Sequence, residues 1–210
     1  MLKIYGRANS INVRKVLWAA DEIGIAYSHD TDWGRGYKPL SEPEFLALNS
    51  LGLIPVIDDD GFILSESNTI ARYLAAKHGR TDLLPADPKG RAGVERWMDW
   101  QSSDLTMSWR GAFLGLVAKV ALPGGDEVIQ ASLRDWPSKM RSIEGRLAET
   151  GAYMAGPSFT LADIPIGLSV HRWFAAEVPV ERPDLPATSA YYERLSERPP
   201  FMTHVRNGLP

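Results

Sequence analysis

The amino-acid sequence predicts a small α/β domain followed by an all-helical domain. Three observations support this prediction: a strand, helix, strand order at the start of the chain, an Asp-Gly hairpin followed by a helix, and the loss of strand-like alternation after residue 80. The element order β-α-β-α-β-β-α occupies residues 1–79, residues 80–87 form a linker, and residues 88–210 form the helical domain.

The first three elements follow from short apolar runs. Residues 2–5 form a strand closed by Gly6, and a helix follows that ends at Gly24. The apolar residues of this helix recur at helical spacing and are Val13, Val16, Leu17 and Ala20. A second strand begins at residues 25–27. Such a crossover favours parallel pairing of the two strands.

The rest of this domain is arranged around a hairpin. A short helix is expected over residues 42–48, after a loop rich in glycine. Strands at residues 56–58 and 62–64 flank Asp-Asp-Gly at 59–61, and Asp-Gly is a strong hairpin signal. A closing helix ends near Gly79. Its apolar face consists of Ile70, Ala71, Leu74 and Ala75.

Proline and glycine mark the linker, in the segment GRTDLLPADPKG. Residues 88–121 contain no proline after Pro88 and could form a helix about 45 to 50 Å long. A second long helix is predicted by an apolar stripe, although Pro137 should bend or interrupt it. The stripe consists of Leu133, Trp136, Met140, Ile143 and Leu147. The capping-box spacing at residues 160–163 opens a third helix, and residues 189–198 suggest a fourth.

Composition excludes several classes of protein. The formal net charge is -3, which gives no electrostatic footprint for nucleic acid or for an anionic membrane surface. The chain has no cysteine, so disulfides and cysteine-based mechanisms are excluded, and its four histidines are scattered, which makes a zinc site unexpected. No stretch is long and apolar enough for a membrane span, and MLKIYGRANS lacks the core of a signal peptide. A cytoplasmic location is the expectation.

Glu66 and Ser67 occupy the point where the hairpin passes into a helix. Free backbone N–H groups and the positive end of the helix dipole favour a carboxylate at such a place. The serine hydroxyl adds a donor and Glu66 adds an anion for an ammonium group. The pair therefore suits the α-amino and α-carboxylate groups of an amino acid, and plain helix capping is the alternative.

Three motifs in order resemble the cytosolic glutathione transferases over essentially the whole chain. They are Ile54-Pro55-Val56, Glu66-Ser67 followed by NTIARYL, and FTLADIPIG. The resemblance implies a thioredoxin-like first domain that binds glutathione, and a cis peptide bond before Pro55. It also implies that the backbone of Ile54 pairs with the cysteinyl unit as an added strand would. Glu66 and Ser67 would then hold the γ-glutamyl end.

The resemblance also points to a group that activates the glutathione thiol. In serine-type members a serine in the turn before the first helix donates a hydrogen bond to the sulfur, and Ser10 in ANSINVRKV matches that position. Asn12 is a rival, because its amide is also a donor. Either residue could instead cap the helix. The sequence is compatible with Ser10 as the donor, with Asn12 as the donor, and with a capping role for both.

The glycyl carboxylate of glutathione lacks its usual partner. A lysine often stands two residues before the cis proline in the family, but this chain has Leu53 there. Lys38 in the preceding loop is the candidate replacement, with Arg14 and Arg35 as weaker ones and a solvated surface lysine as the alternative. Relatives are dimers, so a homodimer is implied, in which Gln101 and Asp104 on the long helix could reach the partner's glutathione.

The second substrate is expected at the first turn and the long helices. Trp109 and Phe113 lie four residues apart on one helical face, and with Ile11 and Met107 they could line an apolar pocket or simply pack in the core. The leading prediction is a glutathione transferase that conjugates small apolar electrophiles, without a metal. A glutathione-dependent peroxidase or disulfide reductase, or a noncatalytic ligand-binding dimer, is the alternative.

Overall fold

The computed structural model describes residues 1–209 and has the two predicted parts. The first part contains β1 (Leu2–Tyr5), α1 (Ile11–Ile23), β2 (Tyr27–Asp30), α2 (Pro43–Leu48), β3 (Val56–Asp59), β4 (Phe62–Ser65) and α3 (Ser67–Lys77). The second part contains α4 (Pro88–Trp100), α5 (Thr106–Ala112), α6 (Gly125–Thr150), α7 (Asp163–Ala175), α8 (Pro186–Ser196) and α9 (Pro199–His204). The predicted fold class, thioredoxin-like β-α-β-α-β-β-α followed by helices, is confirmed.

The four strands form one mixed sheet in the order β2-β1-β3-β4. β1 pairs with β2 in parallel, as the crossover predicted, and β3 pairs antiparallel with both β1 and β4. The hairpin turn lies at Asp60-Gly61, both at positive φ. The Ile54-Pro55 peptide bond at the entrance to β3 is cis, which confirms the expectation for that proline.

The first long helix of the second domain departs from regular α-helical geometry in two places. α4 and α5 are joined without a break by a π-helical segment, Gln101–Leu105, and a second one, Phe113–Val117, follows α5. α6 continues through Pro137, so the expected interruption does not occur. Trp136, just before this proline, and Met140, just after it, are fully buried, and their packing stabilises the helix.

The predicted capping motif forms at the start of α7. The carboxylate of Asp163 accepts hydrogen bonds from the backbone N–H of Thr160 at 2.9 Å and of Met154 at 2.9 Å. The hydroxyl of Tyr191 donates to the same carboxylate at 3.1 Å. Burial raises the pKa of Asp163 to about 6, and the donors around it oppose that shift. Asp163 therefore links three segments of the helical domain through one buried carboxyl.

The two domains share a core along α1. One side of α1 packs on the sheet through Val13 and Val16. The other side brings Trp18, which is fully buried, into the core of the helical domain. The centre of its ring lies 5.2 Å from the ring centre of Phe201 and 5.8 Å from that of Phe159. The cleft described below therefore lies beside a tightly packed junction.

Candidate active site

Two neighbouring cavities lie between the domains at the N-terminal end of α1. The larger has a volume of about 520 Å³ and is lined by the turn before α1 and by α5 with its following π-helical segment. The smaller has a volume of about 290 Å³ and is lined by the start of α3 and by the helical segment around residue 102. Asn12 and Thr106 line both, so the two cavities form one cleft.

Ser10 and Asn12 both reach the larger cavity. Ser10 is the N-cap residue of α1, but its side chain makes no capping hydrogen bond, and it is only 8 % exposed. Within residues 1–209, neither the Ser10 hydroxyl nor the Asn12 amide has a hydrogen-bond partner. Both donors are therefore available to a group in the cleft.

Two glycines bring the cis-proline loop against this turn. A Cβ atom at Gly6 would lie 2.9 Å from the Cβ atom of Ile54, and one at Gly34 would lie 3.1 Å from the Cδ1 atom of Ile54. Both glycines have φ values, +132° and +119°, that other residues rarely adopt. In the described chain, the backbone N–H and C=O of Ile54 form no hydrogen bond with another segment. They remain free to pair with an extended ligand.

Glu66 and Ser67 line the smaller cavity. Glu66 has φ 73° and ψ 106°, a backbone conformation that is rare for a residue with a side chain and that tends to occur at functional sites. Glu66 precedes α3 without a side-chain cap, and Ser67 is 7 % exposed. The structure therefore does not use either side chain for the capping that was the alternative reading.

A buried lysine, which sequence reasoning missed, forms the base of the smaller cavity. Lys15 is 3 % exposed, and its ammonium group donates to Oε1 of Gln101 at 2.8 Å. Burial and the nearby Arg172 lower the pKa of Lys15 to about 7, while Glu66 acts in the opposite direction. Lys15 lies one helical turn after Asn12, and that spacing is the signal that could have found it.

Gln101, expected on the face of the helix toward a partner subunit, faces inward and lines the larger cavity. It is 1 % exposed, and its amide nitrogen donates to Ser169 Oγ at 3.1 Å and to Thr106 Oγ1 at 3.2 Å. The first π-helical segment begins at Gln101, and this turn packs against α7. Gln101 therefore fixes Lys15 beneath the cleft.

Three other predicted residues lie outside the two cavities. The ammonium group of Lys38 is 3.8 Å from Asp32 and 5.2 Å from the ring centre of Trp33. Asp104 is exposed and its carboxylate lies 3.3 Å from Lys139. Met107 is 64 % exposed, because a residue two positions from Trp109 lies on the other side of the helix.

The predicted apolar wall is otherwise present. Ile11, Trp109 and Phe113 line the larger cavity, and the rings of Trp109 and Phe113 meet edge to face at 6.1 Å. The guanidinium of Arg172 lies 3.6 Å from the ring centre of Phe113 and 4.2 Å from that of Trp109. Burial first, and then the charge of Arg14, lower the pKa of Arg172 to about 9.

Arg14, a weaker candidate for the glycyl carboxylate, has a structural role. Its guanidinium donates to the carbonyl oxygens of Gly208 at 2.8 Å and Ala8 at 3.1 Å. These bonds hold residues near position 208 against the turn that carries Ser10. Arg35, the other weak candidate, lines the larger cavity and donates to the carbonyl oxygen of Ala118 at 3.0 Å.

Fold and site together define a two-domain protein of the thioredoxin-like class, with a cis-proline loop that faces a helical domain across a cleft. The model for the glutathione S-transferase N-terminal domain matches residues 9–77. Glutathione S-transferase GstB of Escherichia coli (strain K12) is 34% identical over 202 residues, which cover 95% of each chain. The chain belongs to the glutathione S-transferase family.

Two further relatives support this assignment. Glutathione S-transferase 3 of Zea mays is 32% identical over 213 residues, covering 97% of this chain and 93% of that protein. The crystal structure of the theta class glutathione S-transferase from Xanthomonas axonopodis pv. citri, with glutathione bound, superposes with a TM-score of 0.87 at 37% identity. That superposition covers 100% of this chain and 99% of the other. The family resemblance expected from the sequence is confirmed.

Two features are absent from the described residues. Over residues 1–209, no helix is both long and apolar enough to cross a membrane. In the same residues, no three His, Cys, Asp or Glu side chains come together as they would around a metal ion.

Proposed function

We propose that this glutathione S-transferase binds glutathione along the cleft and transfers its sulfur to an electrophile in the larger cavity. The observation that supports this most is the shared wall at Asn12 and Thr106. It joins a polar cavity suited to an amino acid to a cavity that carries the Ser10 hydroxyl and an apolar wall. A peptide thiol lying across this wall would have its sulfur beside the electrophile, which makes proximity a main source of catalysis.

The smaller cavity takes the γ-glutamyl end. Ser67 donates to the α-carboxylate, which also meets the free N–H groups at the start of α3. Glu66 accepts from the α-amino group. Lys15 lies behind both with a positive charge that a bound carboxylate favours. The free backbone groups of Ile54 pair with the cysteinyl residue, next to the cis bond before Pro55.

The sulfur then lies near the turn between β1 and α1. The Ser10 hydroxyl donates to the thiolate and the N-terminus of α1 acts in the same direction, so the thiol ionises near neutral pH. Asn12 is the second donor within reach. In a displacement, the thiolate forms a carbon–sulfur bond with the electrophile while a leaving group departs with its electron pair. In an addition, the thiolate forms the same bond and the carbanion that results takes a proton from water.

The glycyl end extends toward the loop between β2 and α2. Lys38 is the candidate for its carboxylate, since the ion pair with Asp32 is at the surface and such pairs exchange partners at small cost.

The chain functions as a homodimer in which Asp104 of one subunit approaches the glutathione of the other. Sedimentation at micromolar concentration tests the dimer, and cell fractionation tests the cytoplasmic location expected from the sequence.

Calorimetric titration with glutathione, followed by conjugation of 1-chloro-2,4-dinitrobenzene, tests the function. We expect saturable binding and release of chloride in equal amount to the conjugate. The matched control is Ser142→Ala, a substitution on the exposed side of α6. Ser67→Ala should weaken binding and Ser142→Ala should not. Absence of glutathione binding in the unmodified chain would refute the proposal.

A further inference from the structure

The larger cavity carries an unusual charge for a protein with net charge -3. Four arginines line it: Arg7 in the turn before α1, Arg35 in the loop after β2, Arg110 on α5 and Arg172 on α7. No Asp or Glu is found among the described residues that line this cavity. The cavity is therefore a positively charged space in a weakly acidic protein.

The described chain places no carboxylate beside Arg7, Arg35 or Arg110. Arg7 donates to the amide oxygen of Asn9 at 2.6 Å, and Arg35 donates to the carbonyl oxygen of Ala118 at 3.0 Å. No ion pair within residues 1–209 involves Arg7, Arg35 or Arg110. Burial, and then the charge of Arg35, lower the pKa of Arg7, as expected for two cations that line one cavity. An anion in the cavity would relieve this repulsion.

The arginines do not all serve the same end of the cleft. Arg7 and Arg35 belong to the thioredoxin-like domain, on the side where glutathione brings its own glycyl carboxylate. Arg110 belongs to α5 on the opposite wall, one helical turn before Phe113. Arg172, rather than Arg110, lies over the rings of Trp109 and Phe113. Because Arg110 shares the cavity lining with the apolar side chains of Ile11 and Phe113, this wall fits a ligand that has both an apolar body and an acidic group.

We propose that the electrophile accepted by this cavity carries a carboxylate, with Arg110 as the residue that selects for it and Arg35 closing the mouth. The apolar body packs on Phe113 and Ile11, and the reacting carbon points toward the sulfur near Ser10. Charge-assisted hydrogen bonds from a guanidinium are well suited to hold a carboxylate in one orientation. The inference rests on the proposed transfer of sulfur from glutathione.

A matched pair of aryl chlorides tests this selection. With 4-chloro-3-nitrobenzoate and 4-chloro-3-nitrobenzamide, the thiolate adds to the carbon that bears chlorine, and chloride leaves with the bonding electrons. Each kcat/KM is divided by the rate constant of free glutathione thiolate, which removes the intrinsic difference in reactivity. We expect the enzyme to prefer the acid over the amide by about tenfold, since one guanidinium–carboxylate contact contributes at least that factor.

The arginine variants locate the source of the preference. Arg110→Gln should lower the acid-to-amide ratio by about tenfold, and Arg35→Gln should lower it by less. The control is Arg134→Gln on the exposed side of α6, which should keep the ratio of the unmodified chain. If Arg110→Gln does not fold, inhibition of the unmodified enzyme by 3-nitrobenzoate and 3-nitrobenzamide replaces it, and the acid should inhibit at lower concentration.

The outcomes separate this inference from the proposed function. Conjugation of 1-chloro-2,4-dinitrobenzene with no acid preference, or a preference that Arg110→Gln and Arg35→Gln leave unchanged, overturns the inference alone. Failure to conjugate any of the three aryl chlorides overturns the proposed function and the inference together.

Discussion

Replacing Ser10 with alanine should raise the pKa of glutathione bound to the enzyme. The Ser10 hydroxyl is almost buried and has no partner in the described chain, so a thiolate beside it would receive an undivided hydrogen bond. This bond favours the charged form of the sulfur, and its loss therefore moves the ionisation of the thiol to higher pH.

The size of the shift follows from the strength of that bond. A hydrogen bond to a charged acceptor contributes about 1.5 to 3 kcal/mol. Since one pKa unit corresponds to about 1.36 kcal/mol, Ser10→Ala should raise the thiol pKa by about one to two units. Stability should change little. Loss of a serine that caps a helix costs about 1 kcal/mol, which would lower Tm by about 2 to 4 °C in a chain of this size; Ser10 makes no such cap.

The assay is thiolate absorbance of the enzyme–glutathione complex as a function of pH, together with a thermal melt. Asn12→Ala is the matched control, because Asn12 lies in the same turn and also lacks a partner in the described residues. A pKa shift in Asn12→Ala alone would transfer the role to Asn12. An unchanged thiol pKa with a Tm lowered by several degrees would refute the reasoning, because Ser10 would then be a structural residue.

Three further predictions concern binding and stability. Ser67→Ala should raise the glutathione dissociation constant about 10- to 150-fold in calorimetry, with Tm nearly unchanged; a normal affinity would remove Ser67 from the site. Burial lowers the pKa of Lys15 from 10.5 to about 7, so the folded state binds fewer protons than the unfolded state between these values and the penalty is largest at and below pH 7. The gain in unfolding free energy in Lys15→Met should therefore be larger at pH 6 than at pH 9 by about 2 to 3 kcal/mol in urea titrations, whereas the exposed Lys89→Met should show no such difference. Asp163→Asn should lower the unfolding free energy by about 2 to 4 kcal/mol, because an amide nitrogen would face the Thr160 N–H donor; an unchanged urea midpoint would show that the capping motif is dispensable.

Local chemistry explains which elements could be predicted from the sequence. The hairpin was predicted almost to the residue because Asp60-Gly61 allows few other conformations. α9 was not predicted, although its two prolines stand at the start of the helix, where proline is favoured. The π-helical turn at Gln101 has no sequence signal, since it depends on packing against α7.

The candidate site was predictable only where a motif was contiguous. Glu66 and Ser67 were found because they stand together at a helix start. The arginines of the larger cavity were not, because Arg7, Arg35 and Arg110 are far apart along the chain and only the fold brings them together. Met107 was placed on the apolar wall by residue type alone, and helical geometry puts it elsewhere.

The shared core around Trp18 bears on how the enzyme moves. The indole of Trp18 packs against residues of both domains, so the domains cannot rotate apart without exposing it to water. We therefore expect the cleft to be preformed rather than assembled by hinge closure of the two domains. Binding of glutathione to a preformed cleft should therefore cost little reorganisation energy. We expect the two domains to unfold in one transition, because neither domain buries this ring alone.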